Sequence, residues 1–156
     1  MERSQHLETV TAAPADTESL GEAMGERLCG GEVIVIAGPL GAGKTTLVRG
    51  LCRGLEVPDE VVSPTFILYE AFAGRVPVVH LDLYRLEHER ELEELGVFDP
   101  AGENTVVLAE WGDRSQALEA QCDALVTLEA RGDTERRITV ACTPAVASAL
   151  EGMDAW

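Results

Sequence analysis

Glu32-Val-Ile-Val-Ile-Ala37 runs directly into Gly38-Pro-Leu-Gly-Ala-Gly43-Lys44-Thr45-Thr46, and the reading of this stretch decides the fold. The first part is a short apolar run bounded by turn residues, the pattern of a buried strand. The second part matches G-x-x-x-x-G-K-[ST] at every position. A helix is expected next, through about residues 51–53, with Gly54 and Pro58 closing the unit. Strand, glycine loop and helix in that order are the context that a phosphate-cradling loop requires.

Each residue type in the loop answers a separate chemical need. Gly38, Gly41 and Gly43 let the backbone turn tightly and bring N–H groups onto phosphate oxygens without an intervening side chain. The helix start adds the positive end of its dipole, so the backbone from Gly38 through Ala42 to Thr46 is the candidate cradle. Lys44 would neutralise the outer phosphates and the Thr45 hydroxyl would ligate Mg²⁺. Of the 12 basic residues only Lys44 is a lysine. It stands where arginine substitutes poorly, since a compact ammonium must fit between phosphates. With no second lysine, the Asn/Thr-Lys-x-Asp segment that reads guanine cannot exist here, which favours ATP.

Such a loop also needs acidic groups at the ends of neighbouring strands. Glu110 ends the apolar run Val106-Val107-Leu108-Ala109, and Asp82 lies in His80-Leu-Asp-Leu-Tyr-Arg85 after Val78 and Val79. Lys44, Asp82 and Glu110 are therefore the catalytic candidates, with Thr45 and Glu110 the metal candidates. The plainer readings are an ion pair between Asp82 and Arg85, and an exposed Glu110 beside Trp111. Ser63-Pro64-Thr65 comes after the loop helix where nucleotide switches sit, and an ordinary turn explains it equally well.

The remainder predicts a single α/β domain with a central mixed sheet flanked by helices. Asp16 or Thr17 would cap a first helix carrying Leu20, Met24 and Leu28, which Gly30-Gly31 would end. Strands are expected over residues 66–72 and 76–83 around an Ala73-Gly74-Arg75 turn, and over 105–110. An acidic helix is expected over 87–95 and a short one over 115–120. Residues 124–130 and 136–142 alternate around Gly132-Asp133 as a hairpin, and Pro144 opens a terminal helix. No apolar run approaches the ~18 residues of a membrane span, and the polar start carries no secretory pattern. Cys29, Cys52, Cys122 and Cys142 are scattered without metal spacing, which reads as reduced core thiols in a cytoplasm. A net charge of −16 argues against holding bare nucleic acid and suits a basic protein partner.

GAGKTTLVRGL, VSPTF, HLDLYRLE, ELEELGVFD and a strand ending in Glu110-Trp111 occur in that order. Together they resemble the TsaE family, the ATPase component of bacterial tRNA threonylcarbamoyladenosine synthesis, over roughly residues 17–142. The resemblance implies phosphates held from Gly41 to Thr46, Mg²⁺ on Thr45 and Glu110, and Asp82 required for activity. It also implies Thr17 near the adenine, although helix capping explains Thr17 as well. It implies a weak ATPase working with TsaB and TsaD on position 37 of tRNAs reading ANN codons, with tRNA met only through those partners and no membrane involved. The family usually has Asp where this chain has Pro39, and many members have Pro where it has Gly112; neither change removes a ligand. A stand-alone small-molecule kinase and a nucleotide-gated binding module are the alternatives. Against the kinase, no arginine-rich lid segment is visible.

Overall fold

The computed structural model describes residues 2–58, 69–96 and 104–156. The apolar run before the glycine loop takes the middle of the sheet. A strand covered on both faces must be apolar throughout, and Ile34, Val35 and Ile36 are all nearly inaccessible. In chain order the described strands are β1 (Gln5–Thr11), β2 (Val33–Ala37), β3 (Tyr69–Ala73), β4 (Pro77–Asp82), β5 (Val106–Glu110), β6 (Ala124–Ala130) and β7 (Arg136–Cys142). They form one sheet in the order β1-β7-β6-β2-β5-β4-β3. β2 pairs in parallel with both β5 and β6, and β4 pairs in parallel with β5. The remaining ladders, β1 with β7, β6 with β7 and β3 with β4, are antiparallel. The expected mixed sheet flanked by helices is therefore what the chain forms.

The helices are α1 (Pro14–Arg27), α2 (Lys44–Gly54), α3 (Arg90–Glu94), α4 (Gln116–Gln121) and α5 (Pro144–Leu150). Strand alternation sends Ile34, Ile36, Val78, Val106 and Leu108 to one face, where they meet Leu20 and Met24 of α1, Leu47 and Leu51 of α2, and Leu150 of α5. Val35, Leu81, Val107 and Ala109 face the other way and pack with Leu92 of α3 and Leu118 of α4. Among the described residues no helix is long and apolar enough to cross a membrane.

α1 and α2 approach through glycine. Gly21 and Gly25 lie one turn apart on α1, as do Gly50 and Gly54 on α2. A Cβ at Gly50 would overlap the Glu18 carbonyl oxygen, and one at Gly21 would overlap that of Leu47. The two backbones thus touch directly, with the Arg53–Glu18 ion pair at 2.6 Å on the rim.

Several elements differ from the sequence reading. β1 is an additional edge strand that lies before residue 17 and carries no sequence expectation. α1 starts at Pro14 with Ala13 as its N-cap and no side-chain cap bond, so neither Asp16 nor Thr17 caps it. Pro14 sets the first turn, where its missing N–H costs nothing. The acidic helix is confined to Arg90–Glu94, because Glu91 turns back to accept from the amides of Glu87 and His88 at 3.0 and 3.1 Å. Cys29 is exposed, whereas Cys52, Cys122 and Cys142 are buried and free; burial pushes the Cys52 thiol up to about 12. Ser63-Pro64-Thr65, the start of the 66–72 strand and the end of the ELEELGVFD segment lie outside the described residues.

Gly50→Ala is expected to lower the thermal midpoint by roughly 5–10 °C, since overpacking against backbone costs about 2–3 kcal/mol. Gly152→Ala, where an added Cβ meets only the far end of Arg27 at 3.9 Å, should change it by less than about 1 °C. Equal midpoints in a circular dichroism melt would show that the helices can separate freely.

Candidate functional site

Because β2, β4 and β5 are parallel, their carboxyl ends reach one edge of the sheet together. There β2 passes into the glycine loop. Gly38 takes φ +145, and a Cβ on it would overlap the Leu128 carbonyl oxygen. Gly41 turns at φ +80, a left-handed conformation open to few side chains. Lys44 begins α2, so the amides of the first turn have no carbonyl one turn behind them within the helix. Two of the loop carbonyls behind them accept from a side chain. Arg136, at the start of β7, donates from Nε to Ala42 O at 3.1 Å and from Nη2 to Gly41 O at 3.3 Å. Its other bonds go to carbonyls of its own hairpin, Gly132, Asp133 and Glu135. Arg136 therefore fastens the loop to the β6–β7 turn. Arg137 points the other way and pairs with Glu8 on β1 at 2.8 Å.

Lys44 is 5% exposed. Its Nζ donates to the carbonyls of Gly38 and Pro39 at 2.7 and 2.8 Å and lies 3.8 Å from the centre of the Trp111 ring. Burial pushes the ammonium down from its ordinary value, opposed by the charges of Glu110, Asp113 and Asp82. Pro39 supplies its carbonyl a second time, to the Ala42 amide at 3.1 Å. The residue at this position thus acts through its backbone. Trp111 has φ +58, uncommon for a bulky residue, and its ring lies 5.0 Å from that of Tyr84, tilted by 50°, with Arg114 over both rings. Gly112, next along, admits the close approach of Val35, whose methyls would lie 2.8 and 2.9 Å from an added Cβ.

Glu110 ends β5 fully buried rather than exposed beside Trp111. Its Oε1 accepts from Thr45 Oγ1 at 2.7 Å, and its Oε2 lies 2.6 Å from His80 Nε2. A carboxylate accepts only, so His80 donates through Nε2–H. Thr45 and Glu110 fit a magnesium ion. They are hard oxygen donors, and their 2.7 Å separation is close to the ~2.9 Å edge of an octahedron with 2.0–2.1 Å bonds. Asp82 is the register partner of Glu110 at the end of β4, and its Oδ1 accepts from the Tyr84 amide at 3.0 Å.

The fold thus gathers Gly38, Gly41, Ala42, Gly43, Lys44, Thr45, Thr46, Asp82 and Glu110 at one edge. Thr17 lies in the first turn of α1, buried, with its hydroxyl 2.7 Å from that of Thr11. Thr11 in turn lies opposite Arg136 in the β1–β7 ladder. Sequence reasoning misses His80 and the loop contact of Arg136. The available signal for His80 is alternation, since His80 and Asp82 share a strand face with Val78.

A family model for threonylcarbamoyl adenosine biosynthesis protein TsaE matches residues 11–138. The chain is 34% identical over 135 residues to the tRNA threonylcarbamoyladenosine biosynthesis protein TsaE of Treponema pallidum, covering 86% of this chain and 100% of that one. It is 37% identical to that of Mycobacterium bovis over 79% of each chain, and 47% identical to that of a Nostoc species over 64% of this chain and 66% of that one. The crystal structure of Bacillus subtilis YdiB superposes with a TM-score of 0.71 at 26% identity, covering 94% of this chain and 93% of that one.

Arg136→Met removes two bonds to the loop and is expected to speed amide exchange at residues 41–43 by roughly 30-fold, each bond being worth about 1 kcal/mol. Hydrogen–deuterium exchange would read this directly. Unchanged exchange would show the loop to be self-supporting.

Proposed function

The chain belongs to the TsaE family, and from that membership and the geometry at the sheet edge we propose that it binds Mg²⁺-ATP. We propose further that it is a weak ATPase supporting the complex that makes threonylcarbamoyladenosine at position 37 of tRNAs reading ANN codons. One observation carries the reading: Lys44, Thr45 and Glu110 come together beside backbone amides that have no partner within α2. A buried ammonium, a hydroxyl and a carboxylate at a helix start have little structural use and suit a magnesium triphosphate.

In this reading the amides from Gly41 to Thr46 cradle the phosphates, and Gly38 lets the loop pass under them. Lys44 exchanges the carbonyls of Gly38 and Pro39 for phosphate oxygens. Thr45 and Glu110 hold the magnesium ion, which when bound neutralises charge on the outer phosphates. Asp82, beside Glu110, orients the attacking water. Thr17, in the first turn of α1, lies near the adenine. Adenine is favoured over guanine because the single lysine is already in the loop. The partners are TsaB and TsaD type proteins. A chain of net charge −16 then meets tRNA only through them, in the cytoplasm, without a membrane.

The experiment is Mg²⁺-ATP hydrolysis by the protein alone and with TsaB and TsaD type partners. Weak activity that rises with the partners supports the reading. Strong activity alone would point to a kinase-like enzyme, and tight binding without any response to a passive module.

Lys44→Ala is expected to weaken nucleotide binding by about 100-fold or more, the worth of a charge-assisted contact of ~3 kcal/mol; unchanged affinity in calorimetry would remove the loop from the site. Glu110→Ala and Asp82→Ala should keep nucleotide affinity within about threefold in the absence of metal and lose hydrolysis by about 100-fold or more. Full turnover in either variant would take that residue out of the mechanism.

A further inference from the structure

His80 is completely buried within β4, on the face that carries Val78 and Asp82, and opposite Leu108 of β5, one alternation before the Asp82–Glu110 pair. Its Nδ1 has no hydrogen-bond partner among the described residues. Leaving a buried ring nitrogen unpaired costs about 1–3 kcal/mol, so an apolar side chain of similar size would serve the core better. The return on that cost lies at the other nitrogen, 2.6 Å from Glu110 Oε2.

We infer that His80 is a positioning residue that holds Glu110 as a one-oxygen metal ligand and so tilts the site toward Mg²⁺ against Ca²⁺. The inference rests on the magnesium site proposed above and adds to it the reason for the choice of ion. The terminal torsion of a glutamate is broad and roughly twofold, so packing alone does not fix which oxygen faces Thr45. With Nε2–H on Oε2, that oxygen is engaged behind the site, and Oε1 alone faces Thr45 Oγ1 at 2.7 Å. Magnesium takes one oxygen from each carboxylate in a near-octahedral shell. Calcium accepts both oxygens of a carboxylate in a looser and larger one. A donor on Oε2 therefore favours the smaller ion and obstructs the arrangement open to the larger.

Binding of a nonhydrolysable ATP analogue, measured by calorimetry in EDTA, in Mg²⁺ and in Ca²⁺, separates the terms. The gain in affinity on adding each ion reports what the protein's own ligands contribute. His80→Gln puts an amide N–H near the position of Nε2; His80→Asn reaches only the Nδ1 position; His80→Leu fills the space without a donor. In the Leu and Asn variants, affinity in EDTA should stay within about twofold, while the magnesium gain falls by roughly 10-fold, the usual cost of losing a residue that supports a metal ligand. The calcium gain should fall less, and His80→Gln should recover most of the magnesium gain. If the Leu variant does not fold, the contrast between Gln and Asn decides the matter.

An unchanged magnesium gain in the Leu and Asn variants would overturn the inference. So would magnesium and calcium gains falling equally, or Gln and Asn behaving alike. A wild-type protein that binds the analogue with no gain from Mg²⁺ would instead overturn the magnesium site itself, and this inference with it.

Discussion

Everything at the site depends on parallel strands ending together. β2, β4 and β5 run the same way, so Ala37, Asp82 and Glu110 finish along one edge. β2 runs straight into the glycine loop, so α2 begins at this edge. Its amino terminus therefore has to meet the acidic strand ends. Reverse β2 or β5 and Thr45 could not reach Glu110; reverse β4 or β5 and Asp82 would not lie beside it.

The edge is polar, yet much of it is out of water. Lys44, Glu110 and His80 are all buried, and each would be costly there alone. They survive because each leans on groups that are already fixed. Lys44 rests on two carbonyls and an indole face, Glu110 on a hydroxyl and an imidazole, and His80 on the carboxylate it serves. Two of those supports, the Gly38 and Pro39 carbonyls, belong to the loop itself. The loop is in turn pinned by Arg136 from the far side. The charges are thus gathered at the edge by the fold itself.

Much of this is legible in the sequence, and the exceptions have physical causes. The glycine loop, the β6–β7 hairpin and the strand ending at Glu110 can be read because local rules and tertiary packing agree there. β1 escapes because its inward positions are Leu7, Thr9 and Thr11 while Val10 faces solvent, so no apolar alternation marks it. The start of α1 is hidden because Pro14 and the plain backbone of Ala13 do what a capping side chain usually does. His80 looks like one letter of a motif. Only the register of β4 against β5 puts it on the carboxylate. Arg136 can be assigned to the loop only once the hairpin has been folded back over Gly41 and Ala42.

The glycine contact between α1 and α2 has a mechanical meaning. Where side chains separate two helices, rotamer changes let one slide past the other; where backbones touch, sliding drives Cα atoms into carbonyl oxygens. The joint behaves as a keyed coupling with no play along its axis. α1 and α2 are thus built as one piece, and Thr17 of α1 joins that piece to Thr11 on the sheet's outer strand through a 2.7 Å hydroxyl contact. Two pairs of missing methyl groups set how closely the helix that starts at Lys44 is seated against its neighbour.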